Sequence, residues 1–375
     1  MRAAKMVVKI GSSSLTDASG KVDEHRLARL VGEVHRVREA GWQVVLVSSG
    51  AVAAGVGRLG WRRAHLTMPE KQAAAAVGQG LLIGMYETVF ARFGVPVGQV
   101  LLSRADIQSR RRFIHIRNTL TTLLARGVVP IVNENDTVAV EEIRFGDNDT
   151  LAALVALVVE ADRLVLLTDT DGLYTADPRT HADARRIDHV REWTPDLERM
   201  AGGSGSAVGT GGMRTKLAAA RIAVEAGIPA LVAASGAEDI LLRAARGEPV
   251  GTWFHPQPSR LPAKKLWMAH GTKVEGALIL DDGAVRAITE QAASLLFPGV
   301  AAVEGEFREG AVVACKTMEG RVIAKGMVHL SSGDLRVLLE RRAAGRPVHV
   351  DHEVVHRDQL VLTDADAVAK VTTGH

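Results

Sequence analysis

The stretch Gly209–Lys216 reads GTGGMRTK: glycines and threonines running into two cations. Glycine-rich backbone entering a helix presents unpaired N–H groups, which suit a phosphate. The pattern is not a Walker A loop, in which Ser or Thr follows the lysine; here Thr215 precedes Lys216. The sequence predicts a helix over 213–226, stopped by Gly227 and Pro229. Arg214 and Lys216 then occupy its first turn, where the helix dipole favours negative charge. An anion docked at that end resolves the mismatch. A second isolated cation, Lys9, lies in VVKIG at the end of an apolar run. Inside a strand it needs an anionic partner; at an edge it could reach water. In FGDNDTLAALVALVV, Asp147, Asn148 and Asp149 precede a wholly apolar helix. Helix capping accounts for one of the three, not all. Neither this spacing nor TDTDG (168–172) is that of a calcium loop. No His/Cys cluster is read as having zinc spacing, and no Gly-x-Ser-x-Gly elbow occurs.

Such residues need a scaffold. Short, nearly continuous apolar runs at 5–10, 43–48, 97–103, 127–132, 163–168 and 229–234 read as strands. Helical patterns separate them at 23–40, 69–92, 111–126, 149–161 and 213–226, with a further helix near 236–246. This alternation predicts an α/β fold: a largely parallel sheet covered on both faces. Ligands bind such sheets beyond the carboxyl ends of the strands. Those ends carry Lys9 with GSSS (11–14), SSGA (48–51), NEND (133–136) and TDTDG (168–172). One such loop would be an ordinary turn; four at one edge point to a site. After HPQPSRLPAKK the character changes to short glycine-punctuated alternating runs. The expected division is a first domain at 1–255, a linker at 256–263, a small mostly β domain at 264–363 and a frayed tail at 364–375.

The 375 residues are 47% hydrophobic and 24% charged, a globular composition with net charge +3. A single cysteine, Cys315, forms no intrachain disulfide and suits a reducing compartment. The first apolar run is too short for a signal peptide, and the longest purely apolar run is Leu151–Val159. The expectation is a cytoplasmic protein with no membrane partner. Residues 264–375 hold 14 Lys and Arg against 15 Asp and Glu, with Trp267, Phe297 and Phe307 as their aromatics. That balance argues against an RNA partner.

Taken in order, VVKIGSSSLT, VSSGAVAAG, PIVNENDTV, FGDNDTLAA, LLTDTDGLYTADPR and GTGGMRTK resemble the bacterial glutamate 5-kinases of the amino-acid kinase family. GALILDDGAV, GEFREGAVV and EGRVIAKG resemble the PUA domain fused to many of them. The resemblance implies an αβα sandwich around about eight largely parallel strands. It implies transfer of the ATP γ-phosphoryl group to the side-chain carboxylate of L-glutamate, giving L-glutamyl 5-phosphate, the first step toward proline. Lys9, Lys216 and Asp149 would be catalytic, Asp149 orienting the two lysines. Ser49, Asp136 and Asn148 would hold glutamate. Lys9, Thr168, Asp169 and the loop Thr210, Gly211, Gly212, Met213, Arg214, Thr215, Lys216 would hold ATP. Mg²⁺ would come mainly through the ATP phosphates, with no protein metal site. Proline would inhibit, and the enzyme would be a homo-oligomer, dimer or tetramer. Where many relatives have NARNT, this chain has HIRNT, so His115 and Ile116 depart from the pattern. The chemistry agrees with the residues. A glutamate side chain, with a pKa of about 4.3, is already ionised at neutral pH. Such a nucleophile needs no general base, only positive charge and alignment at the phosphoryl group. Two rivals are a kinase of the same fold acting on aspartate or acetylglutamate, against which NEND and GDND argue, and an RNA-binding protein.

Overall fold

The computed structural model describes residues 2–17, 22–62, 66–138, 148–201 other than 179 and 182, 212–256, 265, 268, 272 and 274–363 other than 351. It divides into two compact units, Met1–Arg260 and Leu261–His375. The first unit opens with β1 (Lys5–Ile10), α1 (Ser12–Leu15), α2 (Glu24–Glu39), β2 (Gln43–Ser48), α3 (Ala51–Leu59) and α4 (Met68–Ala91). There follow β3 (Val97–Leu102), α5 (Arg104–Gln108), α6 (Arg110–Ala125), β4 (Val129–Glu134), α7 (Asn148–Val159) and β5 (Arg163–Thr168). The unit closes with β6 (Leu173–Tyr174), β7 (Arg186–Ile187), β8 (His189–Val190), α8 (Pro195–Ala201), α9 (Met213–Glu225), β9 (Ala230–Ala234), α10 (Ile240–Arg246) and β10 (Thr252–Phe254).

Eight strands form one sheet in the order β3-β4-β2-β1-β5-β9-β10-β8. Every adjacent pair is parallel except β9 with β10. β1 lies centrally, paired to β2 from Lys5↔Gln43 to Ile10↔Ser48 and to β5 from Met6↔Arg163 to Ile10↔Leu167. That register brings the ends of β1, β2 and β5 to one edge, as expected for a binding crevice. Met6, Val8 and Ile10 join the core beneath α2, α4 and α10. The two-residue repeat of a strand then turns Val7 and Lys9 to the opposite face, where α7 packs.

Local sequence accounts for the helices. Asp23 caps α2 through the backbone N–H groups of His25 and Arg26, and Leu27, Leu30, Val31, Val34 and Val37 supply its buried stripe. α4 starts with a Thr67–Glu70 capping box. By length and composition α4 could cross a membrane; it packs as a core helix, burying Leu82, Tyr86, Val89 and Phe90. Its approach to α3 is set by glycine. A Cβ on Gly78 would lie 1.7 Å from the Ala51 carbonyl oxygen, and one on Gly55 would lie 1.7 Å from that of Ala74. The two helices therefore touch backbone to backbone. α7 is buried along almost its whole length.

One expected strand is shifted, and a further helix appears. β4 was expected at 127–132 and runs Val129–Glu134. Gly127, with φ +73°, closes the preceding helix, so the strand starts later. Asn133 and Glu134 are polar yet buried in the ladder, opposite Leu101 and Leu102. NEND is therefore half strand and half turn. Helix α3 (AVAAGVGRL) was not among the predicted helices; its two internal glycines weaken helix propensity and its packing on α4 compensates.

In the second unit, β11 (Gly276–Leu280), β12 (Val300–Glu304), β13 (Val312–Lys316), β14 (Val322–Met327) and β15 (Leu360–Leu362) form a mixed sheet in the order β12-β11-β13-β14-β15. α11 (Asp282–Gln291) and α12 (Ser332–Ala343) accompany it. Leu278, Ile288, Phe297, Val313, Cys315 and Leu335 belong to its own core. Most of the expected linker 256–263 and the whole tail 364–375 lie outside the described residues.

Candidate active site

The site gathers around the first turn of α7. Asp149 is fully buried there. Its Oδ1 pairs with the Lys9 Nζ at 2.6 Å, and its Oδ2 with the Lys216 Nζ at 3.2 Å. Thr215 donates its hydroxyl to the same Oδ2 at 2.8 Å. Lys9 comes from β1, Lys216 and Thr215 from the first turn of α9. Both lysines are buried, so neither is an edge lysine reaching into solvent. Burial alone would push the Asp149 carboxyl up. The charges of Lys9 and Lys216, with hydrogen bonds from Lys9 and Thr215, outweigh that and hold it below the usual carboxylate range. Two ammonium groups facing one carboxylate leave a net charge of +1 among the three. A buried excess of positive charge favours an anion beside it.

Asn148 is the neighbouring residue, about 100° further round the helix, and it enters a different network. Its Nδ2 donates to the Ser48 carbonyl oxygen (3.1 Å), the Ser49 Oγ (2.8 Å) and the Asn133 Oδ1 (2.9 Å). Ser48 ends β2 and Ser49 follows it; Asn133 belongs to β4. Ser49 is also tied to β1 by its N–H, which donates to the Ile10 carbonyl oxygen. Gly50 follows with φ +112°, a left-handed turn that glycine makes readily, and among the described residues no side chain caps α3. The N-terminus of α3 is thus free to receive a carboxylate. Asp136 lies in the turn after β4, half-buried, three residues beyond Asn133.

Thr168, at the end of β5, is buried and donates to the Asp169 carboxylate at 3.0 Å; Asp169 itself is exposed. Gly212 precedes α9, whose N-terminus likewise has no side-chain cap among the described residues. Met213 and Arg214 complete that first turn, Arg214 exposed to solvent. Thr210, Gly211 and Asp147 lie outside the described residues. Among the described residues, no three His, Cys, Asp or Glu side chains cluster as a metal site would require.

The sequence reading passed over Asn133, Ser48 and Tyr86, which support Asn148. Asn133 could have been found, because it begins NEND. Tyr86 gave no signal; a lone aromatic in an apolar helix reads as core. One spacing also escaped it: His352–His356 spells H-E-x-x-H, a metal-binding pattern only when helical. Here the stretch is not helical. Val354 and Val355 are buried, Val355 bridges to Leu295, and the His356 Nδ1 accepts from the Asp358 N–H.

Comparison with known proteins gives the family. Residues 4–234 match the amino acid kinase family and residues 276–350 the PUA domain. The glutamate 5-kinase of Carboxydothermus hydrogenoformans is 51% identical over 96% of this chain and 98% of its own length. That of Moorella thermoacetica is 49% identical over 96% and 97% respectively. A carbamate kinase from Giardia lamblia, solved bound to AMP-PNP, shares the fold at a TM-score of 0.51 and 18% identity, covering 68% of this chain and 99% of that one. The chain belongs to the glutamate 5-kinases of the amino acid kinase family and carries their α/β kinase fold with a C-terminal PUA domain.

Proposed function

We propose that this kinase transfers the γ-phosphoryl group of ATP to the side-chain carboxylate of L-glutamate, forming L-glutamyl 5-phosphate on the way to proline. The observation that carries the reading is the single buried carboxylate of Asp149 holding Lys9 and Lys216 from two different elements. The attacking carboxylate is already charged, so the difficulty is to bring two anions together. Lys9, at the end of the central strand, faces the transferring phosphoryl group. Lys216, in the first turn of α9, faces the phosphates on the ATP side. Asp149 fixes the distance between them. Electrostatic stabilisation of this kind dominates phosphoryl transfer.

ATP fits the remaining groups. The uncapped N-terminus of α9, with Gly212 ahead of it, offers backbone N–H groups to phosphate oxygens. Thr168, at the end of β5, and Asp169 just after it would hold ATP together with the loop 210–216. Mg²⁺, carried on the ATP phosphates, would supply further charge neutralisation. On the acceptor side, Ser49 and Asn148 hold glutamate, and Asp136 offers a carboxylate to its α-ammonium group. Proline carries the same ammonium and α-carboxylate, so it competes there. The proposed site residues all come from the kinase domain at 1–255.

The test is ADP release with glutamate, aspartate, acetylglutamate and carbamate as acceptors, with and without free proline. Glutamate should give by far the highest kcat/KM, and raising glutamate should relieve proline inhibition. Preference for another acceptor would overturn the reading of the site. Inhibition that glutamate cannot relieve would overturn the shared proline site.

A further inference from the structure

Asn148 is held in one orientation. The Ser48 carbonyl oxygen can only accept, so the Asn148 atom 3.1 Å from it must be nitrogen. Asn133 is fixed in the same way, because its Oδ1 accepts from the Glu134 backbone N–H at 2.8 Å. Three acceptors consume both hydrogens of the Asn148 amide. Its Oδ1 accepts no hydrogen bond from the described residues, and the residue is half-buried. What Asn148 can offer a ligand is therefore an acceptor, suited to an ammonium group rather than a carboxylate.

The acceptors that orient Asn148 are themselves braced by α4. Ser48 has one hydroxyl hydrogen, directed to the Ser49 carbonyl oxygen at 3.2 Å. Its Oγ is then the acceptor for the Tyr86 hydroxyl, 2.9 Å away and fully buried. Burial raises the Tyr86 phenol well above its ordinary value, so it stays a donor throughout the working range. The same helix grips the far side of the turn, where Gly78 meets the Ala51 carbonyl oxygen. Helix α4 thus clamps residues 48–51 at two points, across the left-handed Gly50. A hydroxyl needed only for packing could be replaced by a hydrogen without consequence; this one holds the side chain of Ser48, the residue whose backbone carbonyl accepts from Asn148.

We propose that Tyr86, through Ser48, is a positioning residue that locks Asn148 with its amide nitrogen inward and its oxygen toward the acceptor, and so sets the affinity for an α-ammonium group. The inference rests on Asn148 contacting the acceptor amino acid. Tyr86→Phe removes one oxygen atom and keeps the ring. Loss of one such hydrogen bond should raise the KM for glutamate on the order of 3- to 10-fold, with kcat and the KM for ATP within about 2-fold. Ser48→Ala should do the same, and the double variant should be no worse than the more affected single one. Glutarate, which lacks the ammonium group, should inhibit wild type and Tyr86→Phe with the same Ki. A wild-type KM for glutamate in Tyr86→Phe overturns the proposal, as does an equal loss for ATP or glutarate, which would mark a structural role. Asn148→Ala separates the two levels. If it weakens glutamate and Tyr86→Phe does not, only the positioning role fails. If Asn148→Ala also binds glutamate normally, the reading of the acceptor site fails with it.

Discussion

Asn148 and Asp149 are adjacent in the chain, yet they enter opposite kinds of network. Asp149 joins buried charges: two lysines, one carboxylate and a threonine hydroxyl. Asn148 joins neutral hydrogen-bonding groups from β2, β4 and, behind them, α4. A single residue step, about 100° round the helix, separates a region that stabilises charge from one that recognises shape and polarity. The difference follows the chemistry. Charge builds up on the transferring phosphoryl group, where cations lower the barrier. The acceptor must only be chosen and aimed, and a site built of oriented hydrogen bonds discriminates by leaving groups unpaired when the wrong molecule enters.

The largest effect should come from breaking the ionic side at its centre. Asp149→Asn removes the buried carboxylate that both lysines face, and breaking a buried ion pair in this way costs about 3–5 kcal/mol of stability at neutral pH. The pH dependence has a definite sign. The folded carboxyl titrates below its unfolded value of about 3.9. Its contribution is therefore present in full above that value and is lost as the pH falls through the lower folded value. Urea denaturation from pH 7 to pH 3 should show the gap between wild type and Asp149→Asn narrowing only below about pH 4. A gap that is small at pH 7, or constant throughout, would mean that the carboxylate is not the counter-charge to the lysines.

A smaller effect on folding, but a large one on rate, should follow from Lys9→Ala or Lys216→Ala. Each removes one cation from the phosphoryl group, so kcat should fall on the order of 10²- to 10³-fold with little change in the KM for glutamate. Steady-state kinetics with near-wild-type kcat for either variant would remove that lysine from the charged side of the comparison. The Tyr86→Phe change, at 3- to 10-fold in KM, probes the neutral side and is the mildest of the set.

The two sides also differed in how legible they were in the sequence. Lys9, Asp149 and Lys216 stood out because each is a charge in an apolar or dipole-opposed setting, and such a charge demands a partner. Their pairing follows once the parallel sheet brings strand ends to one edge. The neutral side was half hidden. Ser49 and Asn148 lie in recognisable loops, but Ser48, Asn133 and Tyr86 work from inside a strand, the end of another strand and an apolar helix. Polarity was read as the end of β4, whereas Asn133 and Glu134 continue in the ladder, where the Asn133 Oδ1 accepts from the Glu134 N–H and the Glu134 backbone carbonyl accepts from Gln79. The long apolar strands β1, β2 and β5 fell at their expected residues. The two- and three-residue strands β6, β7, β8 and β10 were missed, since so few residues carry no period. Tertiary contacts decide such elements; β10, for example, pairs with β9 and β8 on its two sides.

The central claim is that the two networks divide the work, one binding the acceptor and the other stabilising transfer. Calorimetric titration of glutamate into Asn148→Ala and Lys216→Ala, without ATP, tests it most directly. Asn148→Ala should bind glutamate at least about tenfold more weakly than wild type, the loss expected when an interaction with a charged group is removed. Lys216→Ala should bind it with wild-type affinity while turning over hardly at all. Equal weakening in both variants, or normal binding by Asn148→Ala, would contradict the division.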